Sequence, residues 1–509
     1  MILVKSIFDY FKNYFYPKDK MSVTKPQNTT ITDNLDHNIG YLNGKFNGSV
    51  DFTVRHLTVN NTRCALLTME GMCNKEAIAL SVLNPLLEKE YPSVKGLELY
   101  QYIERYVVTS SEIAKVENFE QLMQLLMSGF AIFLIDGCST AMSIGVQGFS
   151  FRGVSEPDSE VSERGSREGF VEPLRINMTL LRRRIKNPDL RFETMTVGSV
   201  SKTDICMCYL TDAVSESILK KLRAKLEKID MDTVLASGYL VTFLEDNNDR
   251  SLFSGIGITE RPDTAAGKIN EGRIAILIDG TPSALIVPYL FVENFQTMGD
   301  YSYKPYYATM IRWLKYICFF VASLTPGLYT AVALFNPELF PEQILNKVAI
   351  SIGSTPFGLI TEILLVLFMY EIMREAGLRL PKTLGHAVSI VGALVIGDTA
   401  VSAGLIGAPT LMIVALTAIA SYVIPNLYPQ LCVLRILFIF AGGFFGIWGI
   451  VLLFCVTVVN MCGKSVLGVP YTMPIAPFKL FGMRDVIIRA DWRVLSQRRN
   501  IIRDKKSEI

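Results

Sequence analysis

The sequence predicts a two-lobed α/β region followed by an all-α polytopic membrane region. Three observations lead there. Charged residues crowd into roughly the first three hundred positions and the last forty-five or so. Between Ala308 and Met461 the chain instead strings together apolar runs near the roughly 20 residues that a bilayer-spanning helix requires. Within the charged part, one phrase occurs twice: GFAIFLIDG from Gly129 to Gly137 and GRIAILIDG from Gly272 to Gly280.

Composition narrows the function classes. The 509 residues are 50% hydrophobic with a mean hydropathy of +0.32, above the usual soluble range and too long for one ordinary domain. A formal net charge of +2 gives no reason to expect nucleic acid. The nine cysteines are dispersed, with only Cys206 and Cys208 close together, which reads as reduced thiols in a cytosolic or membrane setting. His37, His56 and His386 form no metal-ligand spacing, and there is no nucleophile elbow, Walker loop or dinucleotide fingerprint. The expectation is a protein with no metal, no cofactor and no enzymatic activity.

Residues 1–34 read as a tail and linker. The stretch MILVKSIFDYFKNYFYPKDK is not expected to be a signal peptide, because Lys5 interrupts its apolar run. A first α/β subdomain is expected over 35–165, with strands at CALLTMEG (Cys64–Gly71) and AIFLIDG (Ala131–Gly137) bracketing a helix at Glu120–Gly129. The same order returns over 191–300: DICMCYLTD (Asp204–Asp212), a helix at Ser215–Lys228, a segment ending in VTFLEDNN, and AILIDG (Ala275–Gly280). Asp-Gly suits a tight exit from a buried strand, since Asp bonds nearby backbone and Gly accepts positive φ. The repeat is read as two related lobes; paired lobes commonly hold ligands or partners in their cleft.

Residues 166–190 are expected to form an interlobe helix. Glu168–Lys186 places Phe170, Leu174, Met178, Leu181 and Ile185 on one face, with Pro188 ending it and a basic outer face. Arg167, Glu168, Phe170, Leu174 and Arg183 are the interlobe or assembly candidates; a solvated charged face is the alternative for the basic side.

The segment RGSREGFVEPLRINMTLLRRRIKNPDL (Arg164–Leu190) closely resembles a signature of the GerA family, the A subunits of bacterial spore germinant receptors. MREAGLRLPKTLGHAVSIVGALVIGDTAVSAG (Met373–Gly404), ILIDGTP (Ile276–Pro282) and LGVPYTMPIAPF (Leu467–Phe478) match further family motifs in the same order. The resemblance implies a multi-pass subunit in the spore inner membrane with its lobes in the cytoplasm. It also implies a ring-shaped homo-oligomer that conducts monovalent cations when a transporter-like B subunit binds nutrient, completed by a lipoprotein C subunit. A paralogous branch, the SpoVAF-like proteins, shares these motifs and stays open, as does a signalling scaffold without its own pore.

The membrane region, 301–463, shows candidate spans at Ala308–Phe335, Phe357–Met373, Leu384–Ile406, Pro409–Ile424 and Val433–Met461. Arg374, Arg379 and Lys382 place their loop in the cytoplasm with the lobes. The basic tail, 464–509, also reads as cytoplasmic, yet five crossings would put it outside. A re-entrant segment at Phe357–Met373 or Pro409–Ile424 is the expected resolution. In the third span Gly385, Ser389, Gly392, Ala400 and Ala403 form a stripe of small residues that admits either a close neighbouring helix or a lumen. Asp398 lies mid-helix, where a carboxylate must face a cavity or a partner. Glu362 joins Gly385, Ser389, Gly392, Asp398 and Ala400 as a pore-lining candidate, whereas Glu371 pairs with Arg374.

Overall fold

The computed structural model describes residues 29–148, 157, 160, 164–245, 251–379, 397 and 399–495. The first lobe opens with α1 (Leu35–Phe46) and the hairpin β1 (Phe52–Val59) and β2 (Thr62–Met69). A helical run, Lys75–Ile78, Ala79–Leu83 and Asn84–Glu88, then leads to α2 (Gly96–Tyr106), β3 (Ile113–Val116), α3 (Phe119–Leu126), β4 (Ala131–Ile135) and β5 (Ala141–Ile144). The sheet is antiparallel throughout, in the order β1-β2-β4-β5-β3. The lobe begins earlier than residue 35: Thr30 bridges Asn118, and Ile31 is buried against α1 and α3.

The second lobe repeats this plan. It runs α4 (Leu174–Arg184), β6 (Leu190–Val197), β7 (Thr203–Leu210), α5 (Glu216–Leu226), α6 (Ser237–Leu244), β8 (Gly257–Thr259), α7 (Pro262–Asn270), β9 (Ile274–Ile278) and β10 (Ala284–Val287). Its sheet order is β6-β7-β9-β10-β8, also antiparallel. The two IDG strands, β4 and β9, hold the same central place, and every residue of both is buried. Each sheet is covered on both faces. In the second lobe α4 and α7 pack on one face, and α5 and α6 on the other.

Helix α4 departs from the sequence reading in two ways. It starts at Leu174 rather than near Glu168, because Pro173 fixes its first turn and Phe170 is drawn into a backbone pairing with Glu260. It is also the opening helix of the second lobe, the counterpart of α1, so Phe170, Leu174, Met178, Leu181 and Ile185 enter that lobe's core and not a purely interlobe contact.

Beyond the short helix α8 (Met298–Ser302), the membrane region holds α9 (Pro305–Phe335), α10 (Glu342–Ser354), α11 (Leu359–Arg379), the single turn α12 (Ala400–Ser402), α13 (Ala408–Tyr422) and α14 (Tyr428–Gly463). Helix α9 and the stretch Pro425–Gly463 are long and apolar enough to cross a bilayer. Helices α10 and α11 qualify only as a pair bent by 81°, with α10 lying between the expected spans Ala308–Phe335 and Phe357–Met373. Gly385, Ser389, Gly392 and Asp398 lie outside the described residues.

Contacts fix the direction of each helix and correct the last span. Along α14, Arg435 meets Ala322, Gly442 meets Gly327 and Gly446 meets Phe335, so its first half runs parallel to α9, away from the lobes. A straight helix over Tyr428–Gly463 would separate its ends by about 53 Å. Yet Ile424, Leu427, Leu431 and Met461 share one cluster with Phe253, Phe295 and Tyr471. Gly446, at φ 61° and ψ −150°, reverses the chain, and the expected single crossing Val433–Met461 is a helical hairpin. Helix α11 returns toward the lobes, with Ile360 against Gly443 and Glu371 against Tyr428. The tail folds onto the second lobe: Val466, Leu467, Val469 and Met473 join its core, and Phe291 donates to the Tyr471 carbonyl. The second lobe and the tail therefore lie together at one end of the helices, and the bent pair α10 and α11 has the form of either a broken span or a re-entrant segment.

Candidate functional site at the lobe seam and membrane junction

The seam between the lobes is polar and built on α4. Arg182 is fully buried and grips Asp51, which precedes β1, through Nε at 2.7 Å and Nη2 at 3.0 Å. Its remaining donors reach the carbonyls of Asn187 and Leu190 and the Ser49 hydroxyl, and it stacks 4.8 Å over Phe192. A buried pair with each guanidinium nitrogen engaged holds two bodies in one orientation; removing one member strands the other. Nearby Arg175 pairs with Glu70 at 3.0 Å, and Gly71, at φ +78°, leaves no space for a side chain against Thr179.

The other seam candidates gather beside this pair. Glu168 receives Arg183 at 3.3 Å and Arg184 at 2.7 Å, while Lys186 reaches Ser128 of the first lobe at 3.2 Å. With Met72 they line a pocket of about 380 Å³ between the lobes, in which three cations face one carboxylate. Arg167 is exposed beside it, and Leu174 and Phe170 stand apart in the core.

A second polar cluster joins the second lobe to the membrane helices. Arg312, fully buried on α9, lies between Asp485 at 2.8 Å and Asp300 at 3.4 Å. Lys315, one turn on, bonds Asp300 at 3.1 Å, the Thr297 hydroxyl and the Phe295 carbonyl. Asp300 caps α8 from its N3 position with Thr297, and Asp485 comes from the tail and also accepts from Tyr301 at 2.6 Å. At the end of α14, Lys464, whose side chain is fully buried, reaches Glu245 at 3.1 Å. Beneath the junction Glu293 binds Lys268 at 2.8 Å and Arg273 at 2.7 Å. Burial works against its charge, but the two cations hold the Glu293 carboxyl below its ordinary value.

Among the described residues of the helical region, Glu362 and Glu371 are engaged within the chain. Glu362 is 1% exposed and accepts the Gly407 N–H at 2.8 Å, at the start of α13, where a helix dipole favours an anion. Ala400 is half-buried in the same apolar cluster as Ile363 and Val348. Glu371 pairs with Arg374 at 3.0 Å and accepts from Tyr428 and Cys432. Arg435 answers a different need. Pro326 inside α9 has no N–H, leaving the Ala322 carbonyl without its helical donor, and Arg435 Nε supplies one at 3.2 Å. A side chain on Gly442 would stand 2.3 Å from the Gly327 carbonyl, so α9 and α14 approach backbone to backbone.

The sequence reading passed over Arg312, Asp485, Arg435 and Gly446. Arg435 was visible as the charge in an otherwise apolar run; Arg312 and Asp485 are 173 positions apart and carry no local signal.

A two-lobed α/β headpiece is thus locked by buried ion pairs to a helical region whose helices include ones long and apolar enough to cross a bilayer. A sequence profile described as Bacillus/Clostridium GerA spore germination protein matches residues 40–501. Spore germination protein KA of Bacillus subtilis (strain 168) is 37% identical over 473 residues, covering 92% of this chain and 86% of the relative. Stage V sporulation protein AF of the same organism is 28% identical, covering 87% of this chain and 89% of its own. The crystal structure of the N-terminal domain of the A subunit of the Bacillus megaterium spore germinant receptor GerK3 aligns with a TM-score of 0.42 at 31% identity, covering 52% of this chain and 98% of that one. The chain belongs to the GerA spore germination protein family.

Proposed function

We propose that this chain is the A-type membrane subunit of a nutrient-sensing spore germination receptor. Copies of it form a ring that conducts monovalent cations once a transporter-like B subunit binds germinant, with a lipoprotein C subunit completing the assembly. The observation that carries this reading is the junction of Asp300, Arg312, Lys315 and Asp485, together with Lys464–Glu245. It ties the lobe-side ends of α9 and α14 to one lobe, so a partner that displaces the lobe moves both helices as a unit. Placement in the spore inner membrane rests on the family. Placement of the lobes in the cytoplasm is supported by Arg374, Arg379, Arg484, Arg489 and Arg493, which share the lobes' face. The stripe Gly385, Ser389, Gly392 and Ala400, with Asp398, is the candidate lumen lining, and Glu362 braces its neighbour α13.

The second reading is a signalling scaffold without a pore of its own. It is favoured by Glu362 and Glu371, whose oxygens are already engaged within one subunit. Likeness to stage V sporulation protein AF keeps a channel subunit of that branch as a variant of the first reading. Potassium release from liposomes holding the purified chain tests the proposal. Flux that scales with the amount of assembled ring supports the channel, whereas assembled rings that stay without flux when the B and C subunits and germinant are added leave the scaffold.

A further inference from the structure

Arg435 is bound by less charge than it carries. Its Nε caps the Ala322 carbonyl and Nη2 meets the Ser421 hydroxyl, both neutral acceptors. Among the described residues no carboxylate lies within ion-pair distance of it; Glu371, which lines the same pocket, is occupied by Arg374, Tyr428 and Cys432. Arg435 as a residue is 1% exposed, yet it borders a pocket of about 510 Å³ between α11 and α14. Leu364, Leu367, Phe368, Cys432 and Ile436 supply the apolar remainder of the lining. Phe368 and Ile436 are exposed, so the pocket opens at the surface of the helices. Arg435 sits seven residues beyond Tyr428, roughly 10 Å along the helix from its lobe-side start. At that depth an uncompensated cation is costly, and a long cationic side chain commonly pairs with phosphate near the headgroup level.

We propose that this pocket holds an acidic lipid of the surrounding bilayer, its phosphate paired with Arg435 and an acyl chain laid along Leu364, Leu367, Phe368 and Ile436. Because Arg374 already offsets Glu371, Arg435 leaves the site one net positive charge, which selects an acidic head, and the apolar walls select a lipid over a hydrated inorganic anion. The bound lipid would complete the contact between α11 and α14 on the lobes' side of the membrane.

The test is native mass spectrometry of the full chain in detergent, titrated with dioleoylphosphatidylglycerol or dioleoylphosphatidylcholine. The wild-type chain should retain the acidic lipid at least about fivefold better, the factor that one arginine near a membrane surface supplies. Arg435→Gln keeps donors for Ala322 and Ser421 but should lose the preference. Leu364→Trp, which fills the pocket and leaves Arg435 in place, should lose retention of both lipids; it keeps the test open if Arg435→Gln does not fold. Equal retention of the two lipids by the wild type, or a preference unchanged in Leu364→Trp, overturns the proposal. So does displacement of the acidic lipid by millimolar inorganic phosphate, or lipid adducts on monomers that vanish on self-association, which would give the pocket to a second copy of the chain.

Discussion

The carboxylate of Asp279 accepts a hydrogen bond from the backbone N–H of Leu174 at 2.9 Å, joining the exit of strand β9 to the first residue of α4. Asp136 does the same for Leu35 at 3.2 Å, at the start of α1. The equivalence extends further. Gly137 donates to Asp33 and Gly280 to Glu172, while Asn38 and Asn177 each make a paired bond to the backbone six residues before them. The repeated Ile-Asp-Gly is thus a latch: the central strand of each lobe ends by capping the helix that opens it. Asp279→Ala should destabilise the headpiece by about 0.5–2 kcal/mol, the usual range for a lost cap, and Asp279→Asn by less, because the amide oxygen still accepts. Thermal unfolding of the purified chain measures both, and Asp136→Ala should behave alike.

Much of this was legible in the sequence. The repeat, the central strands and the helices at Phe119–Leu126 and Glu216–Leu226 follow from apolar periodicity and Asp-Gly punctuation. The place of Leu174 did not follow, because an apolar stripe shows that a face is buried without saying against which sheet. The hairpin in α14 was hidden for a similar reason. Both halves are continuously apolar, and only the backbone angles of Gly446 separate them. The ion pairs at the junction join distant positions, so no local pattern announces them.

The Arg182–Asp51 pair governs the relation of the lobes. Arg182→Met leaves Asp51 buried without its partner and should cost about 3–5 kcal/mol, whereas Arg182→Met combined with Asp51→Leu should recover much of that loss. Equilibrium unfolding of the single and double variants gives the coupling. Equal stability of Arg182→Met and the wild type would remove the pair from the seam.

Glu293 makes the junction acid-sensitive. Its folded carboxyl titrates below its ordinary value of about 4.5, so the group contributes stability above that value and loses it as pH falls through the folded one. The melting temperature of the wild type should therefore drop as pH is lowered beneath about 4.5. Glu293→Gln should be less stable near neutrality, because Lys268 and Arg273 lose their carboxylate, and flatter across that acid window.

Close backbone contact between α9 and α14 predicts intolerance to small additions. Gly442→Leu would drive a side chain into the Gly327 carbonyl and part the helices, so the variant should be recovered in much lower yield from membranes. Gly353→Ala, where an added methyl meets no neighbouring atom within 4 Å, should be recovered normally. Parallel membrane fractionation decides the point.

The two membrane carboxylates Glu362 and Asp398 separate the channel from the scaffold. Glu362 is enclosed, with its oxygens on Gly407 and Thr355, so Glu362→Gln keeps an acceptor for the Gly407 N–H and should leave ion selectivity unchanged while lowering stability modestly. Asp398, if it faces a shared lumen, is repeated in every subunit of a symmetric ring, and a ring of carboxylates favours cations. Asp398→Asn should then reduce potassium flux and Asp398→Lys nearly abolish it, with the amount of assembled complex unchanged. Enlarging Gly392 to Leu should block conduction in the same way, by narrowing the lumen from every side at once. A scaffold predicts the opposite pattern, in which each substitution acts only through the abundance of the complex. Flux measured beside assembled protein in the same liposomes distinguishes them: normal potassium release through a fully assembled Asp398→Lys ring takes this carboxylate out of the pore.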